Sequence, residues 1–226
     1  MNFKSLLVKL ITLPAIMLAS ITTTYATEGG SSGYLQGTYG EFTSGMLGET
    51  GFYMRNDLFF YSASIGANPV GGMLSTGSKQ EIWGNLVKFA YASDLTLLGG
   101  RYNAAIAAPL VLNGSVSAYA NGLGMGVLKD GNVNGIGDIY ITPLAIAWQL
   151  GNHNINANVS FVTPTGGYDV DNLLNPGRNY WSFDPTVYYT WLHPKRGHEF
   201  TMSLGYMING ENSATEYTSG DEMHLD

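Results

Sequence analysis

The residues able to do chemistry in this chain are few, and most are single charges set into runs of alternating polarity. Arg55 and Asp57 share a face with Phe59 and Tyr61, opposite Phe52, Met54, Leu58 and Phe60. Arg101, Asp184 and Glu199 fall on the less apolar face of their own runs, and Tyr188 shares the face of Asp184. Asp138 has the parity of the apolar set Leu144, Ile146, Trp148 and Leu150, but sits at the outer end of that run. Lys88 is left on the inner face, because Val87, Phe89 and Tyr91 take the outer one. Charges and rings on one face can line a polar track for a ligand, with Phe59, Tyr61 and Tyr188 as its apolar contacts. The same charges can brace a lumen as Arg–carboxylate pairs, and for any single residue bracing is the favoured reading.

No enzyme motif emerges. His153, His193 and His198 lie in or beside short turns, and His224 is near the end of the sequence. His193 and His198 flank Pro194–Gly197, which reads as a solvated turn and not as a metal site. Ser160 and Ser203 occupy polar faces, but no histidine lies on a matching strand to activate them. The glycine-rich run at 122–126 is not followed by a helix, so it does not cradle a nucleotide. There is no cysteine, which excludes disulfide staples and thiolate metal sites. The expectation is a protein with no catalytic centre, no metal and no cofactor.

Several stretches alternate with the period of two that marks strands. Asn154 to Phe161 is polar at even positions and apolar at odd ones; Phe200, Met202, Leu204, Tyr206 and Ile208 alternate with Glu199, Thr201, Ser203 and Gly205. Phe183, Val187, Tyr189 and Trp191 oppose Asp184, Thr186 and Thr190. Leu144, Ile146, Trp148 and Leu150 oppose Ala145, Ala147 and Gln149. The runs predict seven strands, near 51–63, 80–92, 95–120, 137–150, 153–163, 179–192 and 198–209, with the start of an eighth at 222–226. They exceed the 5–6 residues common in globular strands and match the roughly 9–11 that cross a bilayer. Over 95–120 the phase is read as unbroken through Pro109 and Gly114, giving one long projecting strand followed by an outer loop at 122–135. Ser93–Asp94, Gly151–Asn152 and Pro194–Gly197 are the expected tight turns; 65–79, 164–178 and 210–221 are the expected long loops. This is the short–long rhythm of outer-membrane barrels.

Composition agrees. Of the 226 residues, 45% are hydrophobic and only 12% charged, against about 25% charged in soluble domains. The 12% aromatic content excludes a disordered chain, and a net charge of −7 argues against a nucleic-acid partner. Lys4 and Lys9, an apolar run from Ile11 to Ala19 and small residues at Thr24 and Ala26 predict a cleaved signal peptide over 1–26. Cleavage there leaves eight cations against 17 carboxylates, a net of −9. Residues 27–50 form a Gly/Ser-rich segment with Tyr34, Tyr39 and Phe42, read as a flexible lead-in or, by preference, a plug folded into the lumen. Residues 51–226 are expected to form the barrel wall.

Seven motifs also resemble a known family: GTYGEF at 37–42, GFYMRNDLFFYS at 51–62, LGGRYN at 98–103, GIGDIYITPLAIAW at 135–148, PTGGYD at 164–169, GRNYWSFDPT at 177–186 and SGDEMHLD at 219–226. Together, and in order, they are similar to the transporter family assigned to the meta pathway of phenol degradation, which includes SphA-type outer-membrane proteins. The resemblance implies an all-β, antiparallel, outer-membrane β-barrel that passes hydrophobic or aromatic compounds and serves aromatic catabolism. Its partners would be outer-membrane lipid, the solute and the barrel-assembly machinery. In that family the chain runs on for several strands past the stretch matching SGDEMHLD, so an incomplete barrel is expected here. A soluble periplasmic β-domain binding apolar ligands, or a nonfunctional truncated barrel, are the alternatives.

Overall fold

The computed structural model describes residues 27–28, 33–34, 44–67, 74–122 and 125–226. The expected signal peptide lies outside these residues. The described chain is almost entirely antiparallel sheet: β1 (Gly51–Ala67), β2 (Leu74–Leu97), β3 (Gly100–Gly122), β4 (Met125–Ile136), β5 (Tyr140–Leu150), β6 (His153–Val162), β7 (Ser182–His193), β8 (His198–Asn209), the short β9 (Glu211–Asn212) and β10 (Tyr217–Thr218), and β11 (Glu222–Leu225). The main sheet runs β1-β2-β3-β5-β6-β7-β8-β11, with β4 joined to β3 alone. Among the described residues no ladder joins β11 back to β1. The expected all-β antiparallel class is observed.

Three departures from the predicted elements are observed. The tight hairpin before β3 lies at Leu98–Gly99, not at Ser93–Asp94. Both turn residues have positive φ, +50° and +78°, as a two-residue turn matched to strand twist requires. Ser93 instead belongs to a bulge between the Ala92–Asn103 and Thr96–Arg101 pairs. Its hydroxyl accepts from the Leu95 amide and donates to the Tyr102 carbonyl.

The second departure is at 122–135, which is not a loop. β4 pairs with β3 from Leu110 to Gly122, while β5 takes the same edge of β3 from Arg101 to Ala107. The polar sequence of β4 conceals it, because this part of the sheet projects beyond the apolar strands. The predicted loop at 65–79 shortens in the same way, since β1 and β2 remain paired out to Ala67 and Thr76.

The third departure is phase. A bulge at Leu112 sets Val111 opposite Gly84 and Asn113 opposite Trp83, so the parity of β3 reverses there and does not run unbroken. An extra residue flips every following side chain to the other face. Val116 is therefore buried, 4% exposed, although the unbroken count would turn it outward. A second bulge at Pro143 does the same in β5, between the Ile141–Phe161 and Leu144–Val159 pairs. It turns Tyr140 and Thr142 inward while Leu144 faces outward, and it explains the apparent misplacement of Asp138.

The polarity of the sheet is inverted relative to a soluble domain. The most completely buried side chains are Met207, Asn212, Thr186, Thr190, Asp184 and Ser203. Phe52, Met54, Leu58, Phe60, Phe89, Val187, Phe200 and Ile208 all stand exposed. The polar interior follows from strands whose apolar residues alternate outward.

Candidate functional site

The buried face of the sheet carries the polar side chains, and the described parts of the N-terminal segment lie against it. Near the long-loop end, Asn212 Nδ2 and Thr215 Oγ1 donate to the Glu28 carboxylate at 2.8 and 2.7 Å, and the Glu28 amide donates to Ser219. Further in, Tyr140 donates its hydroxyl to the Gly33 carbonyl. Tyr34 is buried and stacks on His224, with ring centroids 4.4 Å apart. Near the short-turn end the Gly45 amide donates to Thr190 Oγ1 at 3.0 Å, and Arg101 donates to the Gly48 carbonyl and Thr50 hydroxyl. The described contacts thus run from one end of the sheet to the other.

Between this segment and the wall is a cavity of about 330 Å³. Ser44, Met46, Leu47 and Gly48 close one side; Arg55, Lys88, Asn103, Tyr140, Asn156 and Tyr188 stand among the wall residues. The strands place them by simple alternation. Arg55 and Lys88 are partners across the β1–β2 ladder. Asp57, two residues along β1, accepts from Arg55 Nε and Nη2, each at 2.7 Å. The small residues Ala90, Ala105, Ala107 and Ala145 leave the space.

The predicted site residues do not form one cluster. Arg55 and Tyr188 line the cavity, and Asp57 flanks it. Phe59 packs over Gly84, its ladder partner, where a Cβ would overlap the ring. Tyr61 lies further along β1, opposite Ile82. Arg101 holds the N-terminal segment at the short-turn end, and Glu199 bonds Thr201 at that same end. Asp184, fully buried, takes His224 Nε2 at 2.9 Å and the Thr186 hydroxyl at 3.2 Å. These last contacts brace the buried face of the sheet.

Asp138 braces the rim. Its two oxygens accept the amides of Gly166 and Arg178 at 2.8 and 2.7 Å, fixing the 164–180 loop. Burial pushes its carboxyl above the usual value, and the two amides and the Arg178 charge offset only part of that rise.

Sequence reasoning singled out Lys88 as facing inward but gave it no role. It missed Asn103 on β3 and Asn156 and Asn158 on β6, whose inward parity was legible but carries no chemical signature. His224 is paired to Asp184 across 40 residues of sequence, a relation no local pattern reveals. Among the described residues, no group of three or more His, Asp or Glu comes close enough to hold a metal.

An antiparallel sheet with one polar, buried face and one apolar, exposed face, the described parts of the N-terminal segment lying against the polar one, defines an all-β protein. The family described as "Putative MetA-pathway of phenol degradation" matches residues 62–226. The chain belongs to that family, and membership associates it with aromatic catabolism. Comparison with curated proteins and with solved structures returned no match.

Proposed function

We propose that this chain is an outer-membrane β-barrel channel that passes hydrophobic or aromatic small molecules, reaches the membrane through a cleaved signal, and is inserted by the barrel-assembly machinery. The observation that carries this reading is the outward apolar belt and its aromatic margins. Phe52 meets Tyr91 at 4.7 Å and Phe60 meets Trp83 at 4.8 Å, both on the outer face of β1–β2. The two pairs are eight residues apart on β1, roughly 27 Å along a strand and roughly 20 Å along the normal at a tilt of about 40°. That is close to the height of an outer-membrane apolar band, about 25 Å, with aromatic girdles at its edges. In water this belt would be a large exposed patch with nothing to cover it.

A polar pair on the same face supports the reading. Asn56 and Asn85 lie among the belt residues, and each amide donates to the other's oxygen, at 3.0 and 2.8 Å. In hydrocarbon such groups must satisfy one another. The N-terminal segment, in this reading, is a plug that narrows the lumen.

Cell fractionation tests the location: the chain is expected in the outer membrane, extracted only by detergent and with heat-modifiable mobility on gels. Recovery from the soluble periplasm without detergent would refute it. Cells bearing the chain are expected to take up radiolabelled naphthalene faster across an intact lipopolysaccharide layer than cells lacking it. Equal rates would refute passage.

A further inference from the structure

We infer that the cavity between the 44–48 segment and the wall is a binding site for a primary carboxamide carried on an aromatic ring, held by Asn103, Asn156 and Asn158. This rests on the channel reading above and deepens it, because a path for hydrocarbons alone needs no set of hydrogen-bonding groups at a fixed point.

The first support is the polar lining. Asn156 is nine-tenths buried, 8% exposed, and its Oδ1 has no hydrogen-bond partner among the described residues. Asn158 Oδ1 and Asn103 Nδ2 are in the same condition, and all three residues line the cavity. A buried polar group left unpaired costs free energy, so these amides mark a space built around a polar occupant. Two unpaired acceptors and one unpaired donor call for a group with two donors and one acceptor. A primary carboxamide carries that complement, an NH₂ and a carbonyl oxygen. A carboxylate, which only accepts, would leave both asparagine oxygens unpaired and facing negative charge.

The second support is register. Asn103 pairs with Ala145 across β3–β5, and Ala145 pairs with Asn158 across β5–β6. The three residues form one row over three strands, with an asparagine on either side of an alanine. Neighbouring strands lie about 4.8 Å apart, so the two asparagines rise from backbones roughly 10 Å apart. A carboxamide with a hydrogen bond at each end spans about 8 Å, and so bridges them over Ala145. Asn156, two residues along β6 on the same face, offers its oxygen to the second N–H.

The third support is shape. Ala105, Ala107 and Ala145 clear the space over this row, and Tyr53, Tyr140 and Tyr188 bring rings to its lining. The volume, about 330 Å³, is at the low end of small-molecule pockets, about 300–1,000 Å³. An aromatic ring with its amide fits it; a long acyl chain does not.

Titration calorimetry on the detergent-solubilised full chain tests this with benzamide and with acetophenone, which keeps the ring and carbonyl but replaces the NH₂ by a methyl group. Heats from the same titrations into empty micelles are subtracted. Benzamide is expected to bind about tenfold or more tightly than acetophenone. Asn156→Leu, which removes an acceptor, is expected to weaken benzamide about tenfold relative to acetophenone. Asn103→Leu, which removes the donor to the carbonyl, is expected to weaken both ligands about tenfold. Heat-modifiable mobility checks that each variant is folded, and the wild-type comparison of the two ligands needs no variant. Absence of benzamide binding, equal affinity for the two ligands, or a preference for benzamide unchanged in Asn156→Leu overturns the inference. So does binding of both ligands indifferent to Asn103→Leu. Such a failure leaves naphthalene uptake intact, whereas loss of uptake with benzamide binding preserved would overturn the channel reading alone.

Discussion

Replacing Val187 by Arg separates a lipid-facing sheet from a water-facing one. Val187 is 45% exposed, on the outer face of β7, with Ala157 and Leu204 as ladder partners. It stands five residues from Ser182 and six from His193, the ends of the strand. With a rise of about 3.4 Å and a tilt of about 40°, each residue advances about 2.6 Å along the normal. Val187 is then about 13 Å from one margin and about 16 Å from the other, at the midplane of an apolar band. An arginine there should cost about 2–4 kcal/mol. Leu150, also outward and 58% exposed, is the last residue of β5 beside the Gly151–Asn152 turn, so Leu150→Arg should cost only about 0–1 kcal/mol. On a surface facing water both changes would fall within about 0.5 kcal/mol. Guanidinium unfolding in lipid vesicles, followed by tryptophan fluorescence, measures both. Equal losses at the two depths, or a loss below about 1 kcal/mol for Val187→Arg, would refute the membrane placement.

Asp138→Asn keeps one acceptor but presents an NH₂ to a backbone amide, so the 164–180 loop should loosen by about 1–3 kcal/mol, read as faster proteolysis there with the sheet intact. Because the folded carboxyl holds its proton more tightly than the unfolded one, Asp138's contribution is greatest below the ordinary value of 3.8 and falls as pH rises through the raised one; the Asn variant should lack that component. Gly205→Ala should place a methyl into the His224 ring, separating His224 from Asp184 at a cost of about 1–3 kcal/mol, measured as a lower denaturation midpoint. Asn56→Leu and Asn85→Leu should each be worse alone than together, with a coupling of about 0.5–2 kcal/mol in vesicles; a coupling of zero in a double-mutant cycle would count against lipid contact.

How much of this was legible in sequence depended on bulges. β6, β7 and β8 pair without register shifts, and there parity alone places Asn154, Asn156, Asp184, Thr186, Thr190 and Ser203 inside. β3 and β5 each contain an extra residue, at Leu112 and Pro143, and beyond it parity inverts. Nothing in the composition marks a leucine as bulged, so Val116 looked outward; the bulge at Pro143 made Asp138 look misplaced. Pro143 was the better clue, since proline inside a sheet sits at bulges or edges. The inward parity of Lys88 was legible, but its position opposite Arg55 is a register fact. The N-terminal contacts join residues up to 191 apart, so no window of sequence contains them.

Glycine richness and the shape of the cavity follow from one packing device. Phe59 over Gly84 and His224 over Gly205 are ladder partners in which the ring occupies the space a Cβ would fill, and Tyr119 over Gly77 repeats it in the projecting sheet. At Gly84 and Gly205, on the inner face, a ring laid on glycine keeps the surface low without leaving the strand bare. Phe59 is therefore committed to the wall, and its inward parity does not make it a ligand contact. Where alanine stands on the inner face, at Ala90, Ala92, Ala105, Ala107 and Ala145, the cavity opens, with Tyr53 opposite Ala90 and Tyr140 opposite Ala107 in its lining. Ala90 and Ala92 follow Lys88 on β2, while the rest of the opening lies on β3 and β5.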